Sequence, residues 1–335
     1  MVVLADDGPD AGVRGIYSLI EEHDGPLEVV RFSYRPRAGR IAYIAATLEL
    51  ARRLRRSGTP VDILHAHVHR MGWPAVVAGA LLRRRVVISE HSSEWSQRTL
   101  SPGALCRARI AFRRAALVCP VSRALQASIE AYGVAGKFRV VPNAADTEIF
   151  HPSERMPDAA ATRLVNVALH EEIKGLDVLL RAFARLAKSR PDLGLELIGD
   201  GPRRGSLECL AAELGIADRV RFRGALTPSD VGEALRAADL FVLSSRSETL
   251  GSSVIEALCT GLPVVATAVG GVPEVVGEED GMLVPPDDAD RLATGVRGAL
   301  DDYGRFDRAA IARRARQRFS TQAIGRIWDD IYRGL

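Results

Sequence analysis

Lysine is almost missing from this chain of 335 residues: Lys137, Lys174 and Lys188 stand against 42 arginines. A lysine at a motif position therefore carries more weight here than in an ordinary composition. Cysteine is also scarce. Cys106, Cys119, Cys209 and Cys259 show no paired spacing, which argues against a disulfide framework or a thiolate metal site and reads as reduced, mostly buried thiols. No apolar run is long enough to cross a bilayer, the longest lying around Trp73 to Leu82, and no signal-peptide pattern opens the chain. A cytoplasmic protein is expected. With acidic residues throughout, the sequence has no continuous basic stripe and no aromatic stacking platform, so nucleic acid is a poor partner.

What is present is ordinary globular material, 47% hydrophobic and 26% charged, in a length that exceeds a single core and predicts two domains. The charge is uneven. Residues 1–150 carry 21 basic and 14 acidic side chains, the remainder 24 and 28. Arginines cluster at Arg52-Arg53-Leu54-Arg55-Arg56, at Arg83-Arg84-Arg85, and at Arg107, Arg109, Arg113 and Arg114. The last group is interleaved with Leu105, Ile110 and Phe112. A basic amphipathic helix of this kind fits an anionic membrane surface, and equally a solvated helix face.

The chain is organised around residues 244–271. Apolar Leu240 to Leu243 runs into polar Ser244 to Glu248, and Gly251-Ser252-Ser253 opens a short helix that closes near Gly261. In a strand, loop, helix unit the loop sits at the carboxyl end of a parallel strand, and the helix start offers unpaired N–H groups to an anion. Glu248 and Glu256 flank that helix start and need another task. Each can accept from neighbouring hydroxyls, Glu256 from a ribose diol and Glu248 from a sugar ring. Phosphate and hydroxyls together describe a nucleotide sugar.

Strands and helices alternate along the first half. Strands are expected at Val2–Ala5, Leu27–Phe32, Val61–His65, Val86–Ser89, Leu117–Pro120 and Phe138–Val141, and helices at Ile41–Arg56, Trp73–Leu82, 103–115 and 123–131. The second half continues with strands Leu164–Leu169, Leu195–Ile198, Arg219–Gly224, Leu240–Leu243, Pro263–Ala266 and Gly281–Val284. Helices lie between and after them, the last over Gln322–Tyr332. Such alternation predicts parallel, doubly wound α/β sheets. His91 follows a strand and opens a loop, where a functional residue belongs. His65, His67 and His69 alternate, but no acidic or cysteine partner stands near enough in the sequence to favour a metal.

The 244–271 stretch closely resembles the Glu-x7-Glu signature of family 4 retaining glycosyltransferases. Further likenesses follow in family order: Pro142-Asn143-Ala144-Ala145-Asp146, Val167 to Gly175, Ile198-Gly199-Asp200-Gly201-Pro202 and Gly270-Gly271-Val272-Pro273-Glu274. The resemblance implies the GT-B fold, two facing Rossmann-like domains with a cleft between them and a final helix crossing back to the first. It divides the chain into an acceptor domain at 1–148, a nucleotide-sugar domain at 149–318 and a crossover helix at 319–335. It further implies that Lys174 and the helix beginning at Gly251 hold the leaving diphosphate, that Glu256 holds the ribose, and that Glu248 and His91 face the transferred sugar. Gly199, Thr249, Leu250 and Ser252 would complete the donor site, with Phe222 and Arg223 along the nucleobase. Neither metal nor cofactor is implied, since the donor is a substrate. The acceptor would be a saccharide or lipid-linked hydroxyl at the cell envelope.

Departures are three. Ala144 replaces a usual Gly, and Leu169 replaces an Arg that helps hold the diphosphate. The opening lacks the family's first strand, Gly-Gly loop and helix, so Met1 to Ala5 is expected to fill the centre of the first sheet. Two rival readings stand beside this one. Gly199, Gly201 and Gly205 lie one residue off a dinucleotide fingerprint, with Asp218 beyond them, which admits an NAD(P) oxidoreductase. Leu169 and the odd start admit a catalytically silent sugar-nucleotide binding protein.

Overall fold

The computed structural model describes residues 2–9, 17–24, 27–34, 39–58, 61–152 and 162–335; the expected boundary loop, Pro152 to Thr162, falls mostly outside them. Two three-stranded sheets occupy the amino-terminal part. β1 (Val2–Pro9), β2 (Tyr17–Asp24) and β3 (Leu27–Tyr34) form the first, in the order β1-β3-β2. β1 runs parallel to β3 at the edge, so the opening residues do not fill the centre of one continuous sheet. β2, which the sequence reading missed, pairs antiparallel with β3. Two strands separated by two residues can pair in no other way, because a parallel pair needs a crossover of a dozen residues or more.

α1 (Gly39–Arg56) leads to the second sheet, in which β4 (Ile63–His67), β5 (Arg85–Glu90) and β6 (Leu117–Pro120) run parallel with β5 central. The crossovers α2 (Val68–Leu82) and α3 (Pro102–Arg114) step in one direction, so right-handed connections place both on one face. α4 (Arg123–Ala131) follows β6. The expected strand at Phe138–Val141 shrinks to one bridge between Val118 and Phe138. α2 begins five residues before the expected Trp73 because a side chain distant in sequence supports its start: the Glu90 carboxylate accepts the backbone N–H of His69 at 2.7 Å. Local sequence carries no sign of that cap.

The second half builds a six-stranded parallel sheet from β7 (Thr162–Val167), β8 (Leu193–Ile198), β9 (Val220–Gly224), β10 (Leu240–Leu243), β11 (Val264–Thr267) and β12 (Gly281–Val284), in the order β12-β11-β10-β7-β8-β9. β10 and β11 are buried along their whole length, as a parallel sheet covered on both faces requires of its central strands. The covering helices are α5 (Leu176–Ala187), α6 (Arg204–Glu213), α7 (Pro228–Ala237), α8 (Ser252–Cys259), α9 (Val272–Val275), α10 (Ala289–Asp301) and α11 (Arg308–Phe319).

α12 (Thr321–Gly334) then crosses back. Its Ile324 and Ile331 pack with Val87, Cys119 and Val141 of the first half. His65 reaches the Tyr332 hydroxyl at 2.5 Å and lies against Trp328. The two chain crossings run side by side, with the Ala145 N–H donating to the Phe319 carbonyl at 2.8 Å. Among the described residues no helix is long and apolar enough to cross a membrane.

Candidate active site at the strand reversal

The chain lays β7, β8 and β9 outward in one direction and β10, β11 and β12 in the other, so the strand order reverses between β7 and β10. Ligands of such sheets bind outside the carboxyl ends of the strands at the reversal. The loops found there are residues 168–175 and 244–251, which carry Lys174 and Glu248.

Both side chains meet. Lys174 Nζ donates to Glu248 Oε1 at 2.7 Å, and the Ser245 hydroxyl donates to the same oxygen at 2.8 Å. Around this pair the two loops are stitched together: the Ser244 hydroxyl donates to the Lys174 carbonyl at 3.0 Å and the Arg246 N–H to the Ile173 carbonyl at 2.8 Å. The Arg246 guanidinium bridges Asp177 and Asp287 at 3.1 and 2.6 Å. Two glycines allow the close approach. Gly175, at φ +60°, has no room for a Cβ against the Ser244 carbonyl, and Gly270, at φ +51°, none against the Glu248 carbonyl.

Gly251 stands at the N-cap of α8 with φ +90°, and among the described residues no side-chain cap bonds that helix start. Its first N–H groups are thus open to an anion. Glu256, one turn further on, is half-buried and has no hydrogen bond or ion pair from its carboxylate among the described residues; burial pushes its carboxyl up to about 7. Leu250 is only 2% exposed, so its side chain belongs to the core and its backbone alone can face a ligand. The Thr249 carbonyl accepts from the Ser122 hydroxyl at 2.6 Å, and the Ser252 hydroxyl from Asn143 Nδ2 at 3.1 Å. Both bonds join the two halves of the chain.

His91 is exposed on the loop after β5, and that loop meets the Glu248 loop where the Ser96 and Ser247 hydroxyls lie 3.4 Å apart. The remaining sequence candidates sit to one side. Gly199 packs over the Ala168 carbonyl at φ +124°. Phe222 is half-buried against the core with its ring edge-on to His170, and Arg223 pairs with Glu196 along the sheet at 3.1 Å. Leu169 is 59% exposed.

The three alternating histidines part company. His65 lies between Ser89 and Tyr332, and burial pulls its pKa down to about 4. His67 stacks on His65 and faces the His91 ring at 5.9 Å, and His69 belongs to α2 rather than to the strand. Among the described residues no three His, Cys, Asp or Glu side chains are grouped as a metal site. Of the cysteines, Cys106 and Cys209 are exposed, against the expectation of mostly buried thiols. Sequence reasoning missed Ser245 and Ser247. It also missed Glu274 on α9, whose carboxylate accepts the N–H groups of Arg123 and Ala124 at 2.9 and 2.8 Å, at the start of α4. Only the position of Glu274 in the Gly-Gly-Val-Pro-Glu run pointed to it.

Residues 154–318 match the family of glycosyl transferases group 1, and residues 2–149 match glycosyltransferase family 4. A 2-deoxystreptamine glucosyltransferase of Streptomyces kanamyceticus is 30% identical over 286 residues, covering 78% of this chain and 73% of that protein. The chain belongs to the family 4, group 1 glycosyltransferases. A GDP-mannose-dependent α-(1-6)-phosphatidylinositol monomannoside mannosyltransferase of Mycolicibacterium smegmatis is 32% identical, covering 72% of this chain and 68% of that one. Among solved structures, sucrose-phosphate synthase from Thermosynechococcus elongatus superposes with a TM-score of 0.76 at 25% identity over 94% of this chain and 85% of that one. Anabaena HepE in complex with UDP-glucose does so at 0.78 and 23%, over 92% and 86%. The glycosyltransferase has the GT-B fold of these neighbours. The oxidoreductase reading falls with this membership, and the structure gives the physical reason for the glycines: Gly199 and Gly201 press against Ala168 and His170, packing one strand-end loop on the next.

Proposed function

We propose that this glycosyltransferase moves a sugar from a nucleotide-diphosphate sugar to a hydroxyl of a saccharide or lipid-linked acceptor, with retention at the anomeric carbon and without a metal. The observation that carries the reading is the convergence of Lys174, Glu248 and the uncapped start of α8 at the strand reversal. Donor phosphates laid over α8 meet its N–H groups and the Lys174 ammonium, which offset the charge that grows as the diphosphate departs. The Glu256 carboxylate accepts from the ribose diol. Glu248 accepts from hydroxyls of the sugar, and His91 approaches the same sugar from the other domain.

In the transfer the bond from the anomeric carbon to the phosphate oxygen breaks and a bond to the acceptor oxygen forms on the same face. The acceptor proton passes to the departing diphosphate, so the products are the glycoside and a nucleoside diphosphate. One relative is GDP-mannose-dependent and a structural neighbour is seen in complex with UDP and with UDP-glucose, which supports a nucleotide-sugar donor of one of these kinds. A cytoplasmic enzyme held at the inner membrane face fits Arg109, Arg113, Arg114 and Ile110, all exposed on α3. Phe112 is fully buried, so such a contact would be chiefly electrostatic, and charge reversal at Arg113 should release the protein from anionic vesicles.

The test is a thermal-shift screen of purified protein against a panel of nucleotide sugars, followed by transfer and donor-hydrolysis assays with those that raise Tm. A nucleotide sugar that stabilises the protein and is slowly hydrolysed or transferred supports the reading. Tight binding with neither reaction would instead support the silent binder, which the exposed Leu169 favours.

A further inference from the structure

His91 has no hydrogen bond or ion pair of its own among the described residues; its ring only faces that of His67. Where it stands in the cleft therefore depends on the backbone that carries it. Glu90, the preceding residue, is 0% exposed at the carboxyl end of β5. Its carboxylate grips the chain on two sides: Oε2 accepts the N–H of His69 at the start of α2 at 2.7 Å, and Oε1 accepts the N–H of Ser92 at 2.8 Å. Its backbone carbonyl accepts the N–H of Val121 at 3.0 Å. The neighbours on both sides of His91 are thus fastened to elements of the fold while the His91 side chain itself is free.

A buried carboxylate is an expensive way to hold a loop. Burying an ion costs several kcal/mol after relaxation, and no arginine or lysine pairs with Glu90 among the described residues. The offset comes from the two amides it accepts, at the amino-terminal end of α2 and at Ser92; the His69 imidazole, only 2% exposed, lies with Nδ1 3.3 Å from Glu90 and Nε2 3.4 Å from Glu94. Neither ring nitrogen is aligned as a hydrogen bond. Glu94 in turn pairs with Arg70 at 2.9 Å and takes the Ser92 hydroxyl at 3.3 Å. An apolar residue at position 90 could fill the same space, but could not tie Ser92 to α2.

We infer that Glu90 is a positioning residue for the transfer reaction: its buried carboxylate, bound to the amides of His69 and Ser92, holds His91 where the donor sugar needs it. This rests on the reading of His91 as a residue facing the transferred sugar. Glu90→Gln keeps the volume but turns an NH2 toward one of the two amides, breaking one tie.

The experiment is a double-mutant cycle in kcat with Glu90→Gln, His91→Ala and both together, using the nucleotide sugar that stabilises the parent. Glu90→Gln should lower kcat about 10- to 100-fold with donor KM within about twofold. In the His91→Ala background it should change kcat less than about twofold, because a residue acting through another has nothing left to position. Multiplying effects in the double variant, or an undiminished kcat in Glu90→Gln beside a damaged His91→Ala, would overturn the inference alone. Undiminished turnover in His91→Ala would remove the reading beneath it. Should Glu90→Gln fail to accumulate as folded protein, Glu90→Asp takes its place in the cycle, keeping the charge near α2 while drawing the carboxylate back by one methylene.

Discussion

Lys174 and Glu248 pair with each other, ammonium to carboxylate at 2.7 Å across the strand reversal, with side chains only 23% and 12% exposed. A diphosphate must compete with Glu248 for that ammonium, and a sugar ring must compete with Lys174 for that carboxylate. The complete donor supplies both groups at once and replaces the pair; the product diphosphate supplies only one. Glu248→Gln should therefore bind a nucleoside diphosphate at least as tightly as the parent, by calorimetry, while transferring sugar about 100- to 1,000-fold more slowly. Lys174→Ala should lose both diphosphate affinity and turnover. Weaker diphosphate binding in Glu248→Gln would show that the pair does not compete with the ligand.

Gly270 passes so close to the Glu248 carbonyl that a Cβ would overlap it, at a φ of +51° that side chains rarely adopt. Gly270→Ala must push the peptide of Glu248 aside. A loss of about 1–3 kcal/mol in urea unfolding is expected, with a fall in turnover larger than the fraction unfolded explains. Gly205→Ala is the control: that glycine lies in α6 with open space around it, and the change should stabilise by about 0.5–1 kcal/mol.

Glu274 caps α4 from the other half of the chain, and the Ser122 hydroxyl both accepts the Leu125 N–H and donates to the Thr249 carbonyl. Removing the carboxylate leaves two helix-start amides without that partner and loosens the contact between halves. Glu274→Ala should cost about 0.5–2 kcal/mol, lower Tm by a few degrees, and enlarge the donor-free protein in small-angle scattering. An unchanged scattering curve beside a lowered Tm would reduce Glu274 to a local cap.

The places of Lys174, Glu248 and the helix at Gly251, beside strand ends, were legible in the sequence because each sits in a contiguous strand, loop, helix unit whose period and punctuation are local. The ties between the halves were not, since Ser122 to Thr249 and Asn143 to Ser252 join positions more than a hundred residues apart. Leu250 and Phe222 were assigned to the ligand by motif position, yet their apolar side chains are wholly or partly taken up by packing. β2 was missed because its run, Tyr-Ser-Leu-Ile-Glu-Glu-His-Asp, has no clean period of two. The start of α2 was misplaced because its cap, Glu90, arrives from another strand.

Metal removal tests the source of the charge that meets the diphosphate. With Lys174 and the α8 amides in that role, turnover after dialysis against a chelator should stay within about twofold of the untreated enzyme, and added Mg²⁺ should restore nothing. A rate abolished by chelation and returned by Mg²⁺ would transfer the role to a cation. It would also recast Glu248 as a ligand.

Glu256 couples stability to pH with a definite sign. Burial raises its carboxyl from 4.5 to about 7, so across that window the folded chain keeps a proton that the unfolded chain has lost. Stability therefore falls as pH rises through the window, by on the order of 3 kcal/mol once the group is ionised. Glu256→Gln, which cannot ionise, should melt higher than the parent at pH 8 and at the same temperature near pH 4.5. Donor binding runs the other way, because the ionised carboxylate is the better acceptor for a ribose diol. The thermal shift given by a nucleotide sugar should grow from pH 6 to pH 8 in the parent and lose that slope in Glu256→Gln. A donor response that is flat with pH in the parent would take Glu256 out of the ribose site, whatever its effect on Tm.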